Sequence, residues 1–287
     1  MNLTSQTEIK KLLNEIGANP KKHYGQNFLV NKGILEKIIT YSDINEDDII
    51  LEIGPGLGTL TKELSKKAKK VIVIEKDFDM LNILKKVLIS ENIKNVEIIN
   101  GDVLKLDIAK LKIKKYKLIA NIPYYLTSAL IRKFLEEKLR PEKIILMMQK
   151  EVAQRICAKE KMNLLSLSVL FYATPKILFS VSKGSFWPIP NVDSVLIKIT
   201  PNEKPLMEPS IFFKFIKAGF SSPRKLLISN LSENLKIDKE KMKDIFKKTN
   251  LDEKTRAEDL TIQNWLKLIH ITIIKINLES RTPNDII

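Results

Sequence analysis

The sequence predicts an α/β fold: a doubly wound sheet of mostly parallel strands with an antiparallel last strand, followed by a small all-helical C-terminal domain. Three observations predict it. Between residues 49 and 148 short apolar runs alternate regularly with amphipathic stretches, the arrangement that gives parallel strands joined by crossover helices. The runs at 49–53 and 144–148 are almost continuously apolar, as strands covered on both faces must be. Beyond Pro201-Asn202-Glu203-Lys204-Pro205, which reads as a linker, the pattern is helical throughout.

Each element has its own signal. Ser5 followed by Glu8 reads as a capping box, opening an amphipathic helix through Ile9, Leu12, Leu13 and Ile16, with Gly17 as its stop. After a basic stretch at Lys21, Lys22 and His23, strands are expected at 49–53, 71–75, 96–99, 117–120 and 144–148. Helices are expected over 59–68, 78–89 and 127–139. Two further strand-like runs, 176–181 and 192–200, flank Trp187-Pro188-Ile189-Pro190 and can pair antiparallel as the last strands of the sheet. Helices follow near 210–218, 225–235, 239–247 and 262–273, and residues from Glu279 onward are expected to fray. The domains are therefore placed at 1–202, with an N-terminal helical extension over 1–22, and at 203–287.

The chain has 287 residues, 44 % of them hydrophobic, enough for one large domain or a large and a small one. Lys and Arg number 49 against 34 Asp and Glu, a formal charge of +15. That balance points to a polyanionic partner, nucleic acid or an acidic membrane surface, unless lysine merely solvates the surface. The single cysteine, Cys157, excludes an intramolecular disulfide and a cysteine-based metal cluster, and fits a reducing, cytoplasmic setting. Two histidines far apart, His23 and His270, leave no histidine-rich metal site and little basis for a His-centred triad. No apolar run suits a signal peptide or approaches the ~20 residues of a membrane span, so a soluble protein with no membrane partner is expected.

Chemistry concentrates where strands would end. Asn121-Ile122-Pro123-Tyr124 follows the run at 117–120. An amide oxygen and a turn carbonyl can accept the hydrogens of a purine's exocyclic amine while the Tyr124 ring stacks on the base, although Asn-X-Pro also begins ordinary turns. Glu52-Ile53-Gly54-Pro55-Gly56-Leu57-Gly58 joins the first of these strands to its helix, where glycines let the backbone approach a ligand and the helix start offers N–H groups. Its spacing is not the G-x-G-x-x-G of dinucleotide sites, which disfavours a nicotinamide dehydrogenase. Glu75, ending the next strand, can accept both hydroxyls of a ribose, and Asp102 suits an adenine amino group. Glu75, Asp102 and Asn121 would share the carboxyl-end rim of parallel strands, the crevice where open sheets bind ligands.

Together these residues resemble S-adenosylmethionine-dependent methyltransferases, and specifically the ribosomal RNA adenine dimethyltransferase family, over nearly the whole chain. Lys22-His23-Tyr24-Gly25-Gln26-Asn27-Phe28-Leu29 is similar to the family's N-terminal cofactor motif, residues 52–58 to its glycine loop, and Asn121-Ile122-Pro123-Tyr124 to its catalytic motif. Phe186-Trp187-Pro188-Ile189-Pro190-Asn191-Val192-Asp193-Ser194 resembles its late motif; residues 218–231 and Arg256-Ala257-Glu258-Asp259-Leu260 resemble its C-terminal helical segments.

The resemblance implies a Rossmann-like methyltransferase sheet with S-adenosyl-L-methionine as cofactor, held by Asn27, Leu29, Gly54, Glu75, Asp102 and Asn121. It implies catalysis by Asn121, with the Ile122 or Pro123 carbonyl as second acceptor, on a base held between Tyr124 and Phe186. The implied reaction gives N6,N6-dimethyladenosine at two adjacent positions in the 3′-terminal hairpin of 16S small-subunit rRNA during ribosome biogenesis. The enzyme would act as a cytoplasmic monomer, on rRNA within a pre-30S particle.

Two departures matter. The family usually doubles an arginine before the lysine where Ser221-Ser222-Pro223-Arg224-Lys225-Leu226 has one, so Arg224 and Lys225 are expected RNA contacts with a weaker grip, or one shared with nearby lysines. Ile122 stands where leucine is commoner, a swap of similar volume. The rivals are a large-subunit 23S rRNA adenine methyltransferase conferring antibiotic resistance, disfavoured by the N-terminal helix and long helical tail, and a non-enzymatic RNA-binding assembly factor, disfavoured by the intact catalytic motif.

Overall fold

A computed structural model of the protein describes residues 1–21 and 24–280, with side chains as far as residue 276. Lys22 and His23 of the N-terminal motif, and the part of the expected frayed end beyond residue 280, lie outside the described residues. The chain forms two compact units, one of Met1–Gln154 with Ala173–Pro201, the other of Arg155–Tyr172 with Asn202–Ile287.

In the first unit the elements run α1 (Gln6–Asn14), β1 (Phe28–Leu29), α2 (Lys32–Ser42), β2 (Ile49–Ile53), α3 (Thr59–Ser65), β3 (Lys70–Glu75), α4 (Phe78–Ser90), β4 (Val96–Asn100) and β5 (Lys117–Asn121). They continue through α5 (Thr127–Glu136), β6 (Lys143–Gln149) and α6 (Lys150–Ile156), whose last two residues count with the second unit, and resume with β7 (Ala173–Val181), β8 (Phe186–Trp187) and β9 (Ser194–Pro201). Seven strands make one sheet in the order β4-β3-β2-β5-β6-β9-β7. The first five are parallel, and β9 runs antiparallel to both its neighbours. Strands β2, β3, β5 and β6 are buried along nearly their whole length, which is why their interiors are apolar apart from Glu52 in β2.

Several local expectations change. Ser5 caps α1 without a side-chain bond: its N–H is taken by the Asn2 carbonyl at 3.1 Å, so Glu8 has no donor to reach back to and no capping box forms. The helices expected over 59–68 and 127–139 stop at Ser65 and Glu136. Strands β1 and β8 pair antiparallel, Phe28 opposite Trp187 and Leu29 opposite Phe186; two residues each carry no period to read. Helix α2 was also unforeseen, although Asn31 marks its start by accepting the Ile34 N–H at 3.1 Å. The N-terminal helix is no loose extension. Ile9, Leu12 and Leu13 join Phe28, Leu57, Met80, Ile83 and Val87 in one buried cluster.

The second unit holds α7 (Leu164–Tyr172), α8 (Pro209–Gly219), α9 (Leu227–Leu235), α10 (Lys239–Thr249) and α11 (Ile262–Ser280). Residues 155–172, expected in the first domain, pack here instead. Helix α7 is apolar on nearly every side and needs helical neighbours around it; its Phe171 stacks on Phe212 of α8 with centroids 4.2 Å apart.

Candidate functional site

The carboxyl ends of β2, β3 and β5 and the loop after β4 meet around a cavity of 290 Å³. It lies where the strand order turns back, β3 on one side of β2 and β5 on the other, the position open α/β sheets give to ligands. Asn27, Leu29, Gly54, Glu75, Asp102, Asn121, Ile122, Pro123, Tyr124 and Phe186 all line it. Arg224 and Lys225 belong to the other unit, where both Glu233 carboxylate oxygens hold the Lys225 ammonium at 3.1 and 3.0 Å.

Backbone shape makes the glycine loop. Gly54, Gly56 and Gly58 have φ of +65°, +56° and +88°, the region L side chains avoid. The Gly54 N–H donates to the Ile74 carbonyl at 2.9 Å, tying the loop to β3. The N-terminal segment lies across it: a Cβ on Gly56 would come within 3.4 Å of the Phe28 ring, and one on Gly25 within 3.3 Å of Pro123.

What fastens that segment was not foreseen. Asp77, 2 % exposed, accepts the Lys21 ammonium at 2.7 Å and the Gln26 amide at 2.6 Å, one on each oxygen. The same carboxylate caps α4 by accepting the Asp79 N–H at 3.0 Å. Hydrogen bonds to Asp77 and then Asp79 hold the Lys21 ammonium above its usual pKa. An acid two residues after Glu75 and a helix-capping position were the available signals.

Three carboxylates face different surroundings. Glu75 Oε1 accepts the Lys76 and Asp77 N–H groups at 2.8 Å each, and Oε2 accepts the Gly56 N–H at 3.2 Å. A carboxylate has about four acceptor positions, so one remains, on Oε2, fewer than two ribose hydroxyls would ask of it. Burial raises the Glu75 pKa against the pull of those N–H donors. Glu52, 1 % exposed, is pushed up to about 8 by burial, opposed by the Thr61 hydroxyl at 2.7 Å and reinforced by the charge of Glu75. Burial works to raise Asp102 as well, but the Lys76 ammonium at 3.1 Å and the Leu104 N–H at 3.0 Å outweigh it and hold that acid below its usual range.

The catalytic segment divides its polar atoms clearly. The Asn121 side chain is half-buried at the cavity and has no hydrogen-bond partner among the described residues. The Pro123 carbonyl accepts the Leu126 N–H at 3.0 Å, whereas the Ile122 carbonyl has no such partner among the described residues. The Tyr124 hydroxyl lies 2.8 Å from Ser194 Oγ, itself fully buried, and burial raises the phenol's pKa. Phe186 is 1 % exposed, at once a wall of the cavity and part of the hydrophobic core. Carboxylates with acceptor positions to spare, an unpaired amide and glycines without a Cβ are a donor set that fits a nucleoside bearing a polar tail, as S-adenosylmethionine does.

The sequence profile of the family described as ribosomal RNA adenine dimethylase matches residues 17–273. The chain is 42 % identical over 258 residues to the ribosomal RNA small subunit methyltransferase A of Fusobacterium nucleatum, spanning 88 % of this chain and 97 % of that protein. Among solved structures it is similar to a dimethyladenosine transferase from Plasmodium falciparum, with a TM-score of 0.74, 30 % identity, and coverage of 88 % of this chain and 98 % of that one. The 23S rRNA methyltransferase ErmE has a TM-score of 0.71 at 22 % identity, covering 85 % and 99 % of the two chains, a likeness of fold alone.

Proposed function

The chain belongs to the ribosomal RNA adenine dimethylase family, and from that premise we propose that it dimethylates N6 of two adjacent adenosines in the 3′-terminal hairpin of 16S small-subunit rRNA. It is an S-adenosylmethionine-dependent rRNA adenine dimethyltransferase built on a Rossmann-like sheet. In the proposed setting it acts as a cytoplasmic monomer on a pre-30S particle during ribosome biogenesis. Among the described residues no helix is long and apolar enough to cross a membrane.

One observation carries the chemical reading: the unpaired Asn121 amide shares a cavity with Glu75 and Asp102. When bound, S-adenosylmethionine supplies an electrophilic methyl group on a sulfonium. Adenine's amino nitrogen is a weak nucleophile because its lone pair is delocalised into the ring. Asn121 Oδ1 and the Ile122 carbonyl accept the two amino hydrogens, favouring the pyramidal nitrogen and stabilising its developing positive charge. The Pro123 carbonyl, already engaged by Leu126, is the poorer second acceptor. No strong base is needed, since the alkylated nitrogen is acidic. Tyr124, anchored through Ser194, and Phe186 flank the base, while Glu75, with its one open acceptor position, takes a single ribose hydroxyl of the donor and Asp102 its adenine.

A small-subunit target is supported by the 42 % identity to a small-subunit relative and by the packed N-terminal helix. Mass spectrometry of rRNA from cells with and without the gene tests it. Two adjacent dimethyladenosines of 16S RNA should disappear with the gene; loss from 23S RNA instead would transfer the assignment to the large-subunit class.

A further inference from the structure

Two tyrosines stand side by side in the chain, and their hydroxyls meet different neighbours. Tyr124 turns its hydroxyl toward Ser194, with Asp193 the nearby charge. Around the Tyr125 hydroxyl the ionisable groups are Lys76, Asp102, Tyr24 and Glu75. Both residues line the cavity, yet Tyr125 is 59 % exposed. An exposed large aromatic at the rim of a pocket contributes little to the core and a great deal to a planar ligand.

Beside it Lys76, whose side chain is 55 % exposed, also lines the cavity. Its ammonium holds Asp102 Oδ2 at 3.1 Å while the Leu104 N–H holds Oδ1 at 3.0 Å. The carboxylate is thereby fixed in direction and still keeps an acceptor position on each oxygen.

Resting on the donor placement proposed above, we propose that Tyr125 is a donor-binding residue, the outer wall against which the purine ring of S-adenosylmethionine lies, and that Lys76 is a positioning residue that aims Asp102 at the purine's 6-amino group. Tyr125 lines the cavity together with Glu75 and Asp102, the two acids assigned to the adenosine half of the donor, and both charges act on its hydroxyl. Those same carboxylates make this rim a poor seat for an RNA phosphate backbone, which seeks cations. The neighbouring tyrosine, among Ser194 and Asp193, is left for the target base.

Calorimetric titration of the full chain with S-adenosylhomocysteine, in the absence of RNA, tests both roles. Tyr125→Ala should weaken binding roughly tenfold, within what one base–aromatic stack supplies, while Tyr125→Phe, which keeps the stacking face, stays within about twofold of the parent. Lys76→Met should weaken binding and narrow the preference for S-adenosylhomocysteine over S-inosylhomocysteine, in which a carbonyl replaces the 6-amino group; a merely structural lysine would leave that preference unchanged. The Tyr125 role is overturned if Tyr125→Ala binds like the parent, or if its only defect is a raised KM for RNA. Retention of the full amino-over-carbonyl preference in Lys76→Met overturns the Lys76 role. Because the titration contains no RNA, it decides the proposal whether or not 16S RNA is the substrate.

Discussion

Replacing Glu52 with Gln should change the pH dependence of stability, and the structure sets both sign and size. Glu52, next to last in β2, has 1 % of its surface exposed, and burial lifts its pKa from 4.5 to about 8. Below pH 4.5 folded and unfolded chains both hold the proton, so Glu52 makes no difference there. Between 4.5 and 8 the unfolded chain has released a proton that the folded chain keeps, so stability falls as pH rises, by about 1.4 kcal/mol per pH unit. Across the window the loss is at most ~5 kcal/mol, and above pH 8 it levels off. Gln keeps the shape and an oxygen for the Thr61 hydroxyl but carries no charge. Urea unfolding of both proteins from pH 5 to 9 reads the difference, in which the other titrating groups cancel. The Gln variant should gain steadily on the parent up to about pH 8 and then hold its lead. A difference that stays constant over this range would refute the reasoning, because Glu52 would then ionise alike in both states.

Three shorter tests address the loop, the N-terminal segment and the RNA. Gly58→Ala places a Cβ 2.6 Å from the buried Leu84 at a φ of +88°, and should cost about 1–3 kcal/mol of stability by urea unfolding. Asp77→Ala removes the α4 cap and the acceptor shared by Lys21 and Gln26; a stability loss of about 0.5–2 kcal/mol should come with weaker S-adenosylhomocysteine binding, measured by calorimetry. Arg224→Ala should lower the slope of log affinity for RNA against log salt by about one contact. Lys225→Ala should lower it less, since that ammonium must first leave Glu233. Unchanged slopes in both would remove this turn from the RNA surface.

How far the sequence could be read depended on how local each signal is. Strands at 49–53 and 144–148 were legible to within a residue because burial on both faces writes an almost continuous apolar run. The pair β1–β8 was not, because two residues carry no period and their partner is more than 150 residues away. The placement of residues 155–172 depended on which helices would surround α7, a tertiary matter that its composition leaves open. The rim acids and Asn121 could be placed together because parallel strands deliver their carboxyl ends to one side. Asp77, Lys76 and Tyr125 escaped for the opposite reason. Asp77 and Lys76 each meet a partner brought close by folding, Lys21 and Gln26 in the first case and Asp102 in the second, and Tyr125 is set apart only by its exposed place at the cavity. Likewise, only coordinates separate the Ile122 carbonyl from the Pro123 carbonyl as the open acceptor.

The role proposed for the acceptors of the Asn121 turn is to hold the adenine amine for attack. Single-turnover methyl transfer to 16S RNA by Asn121→Ala, paired with a donor titration of the same protein, tests it most directly. Transfer should fall by about two to three orders of magnitude or more, with donor affinity mostly retained. Transfer at the parent's rate, with the donor bound as before, would contradict the account.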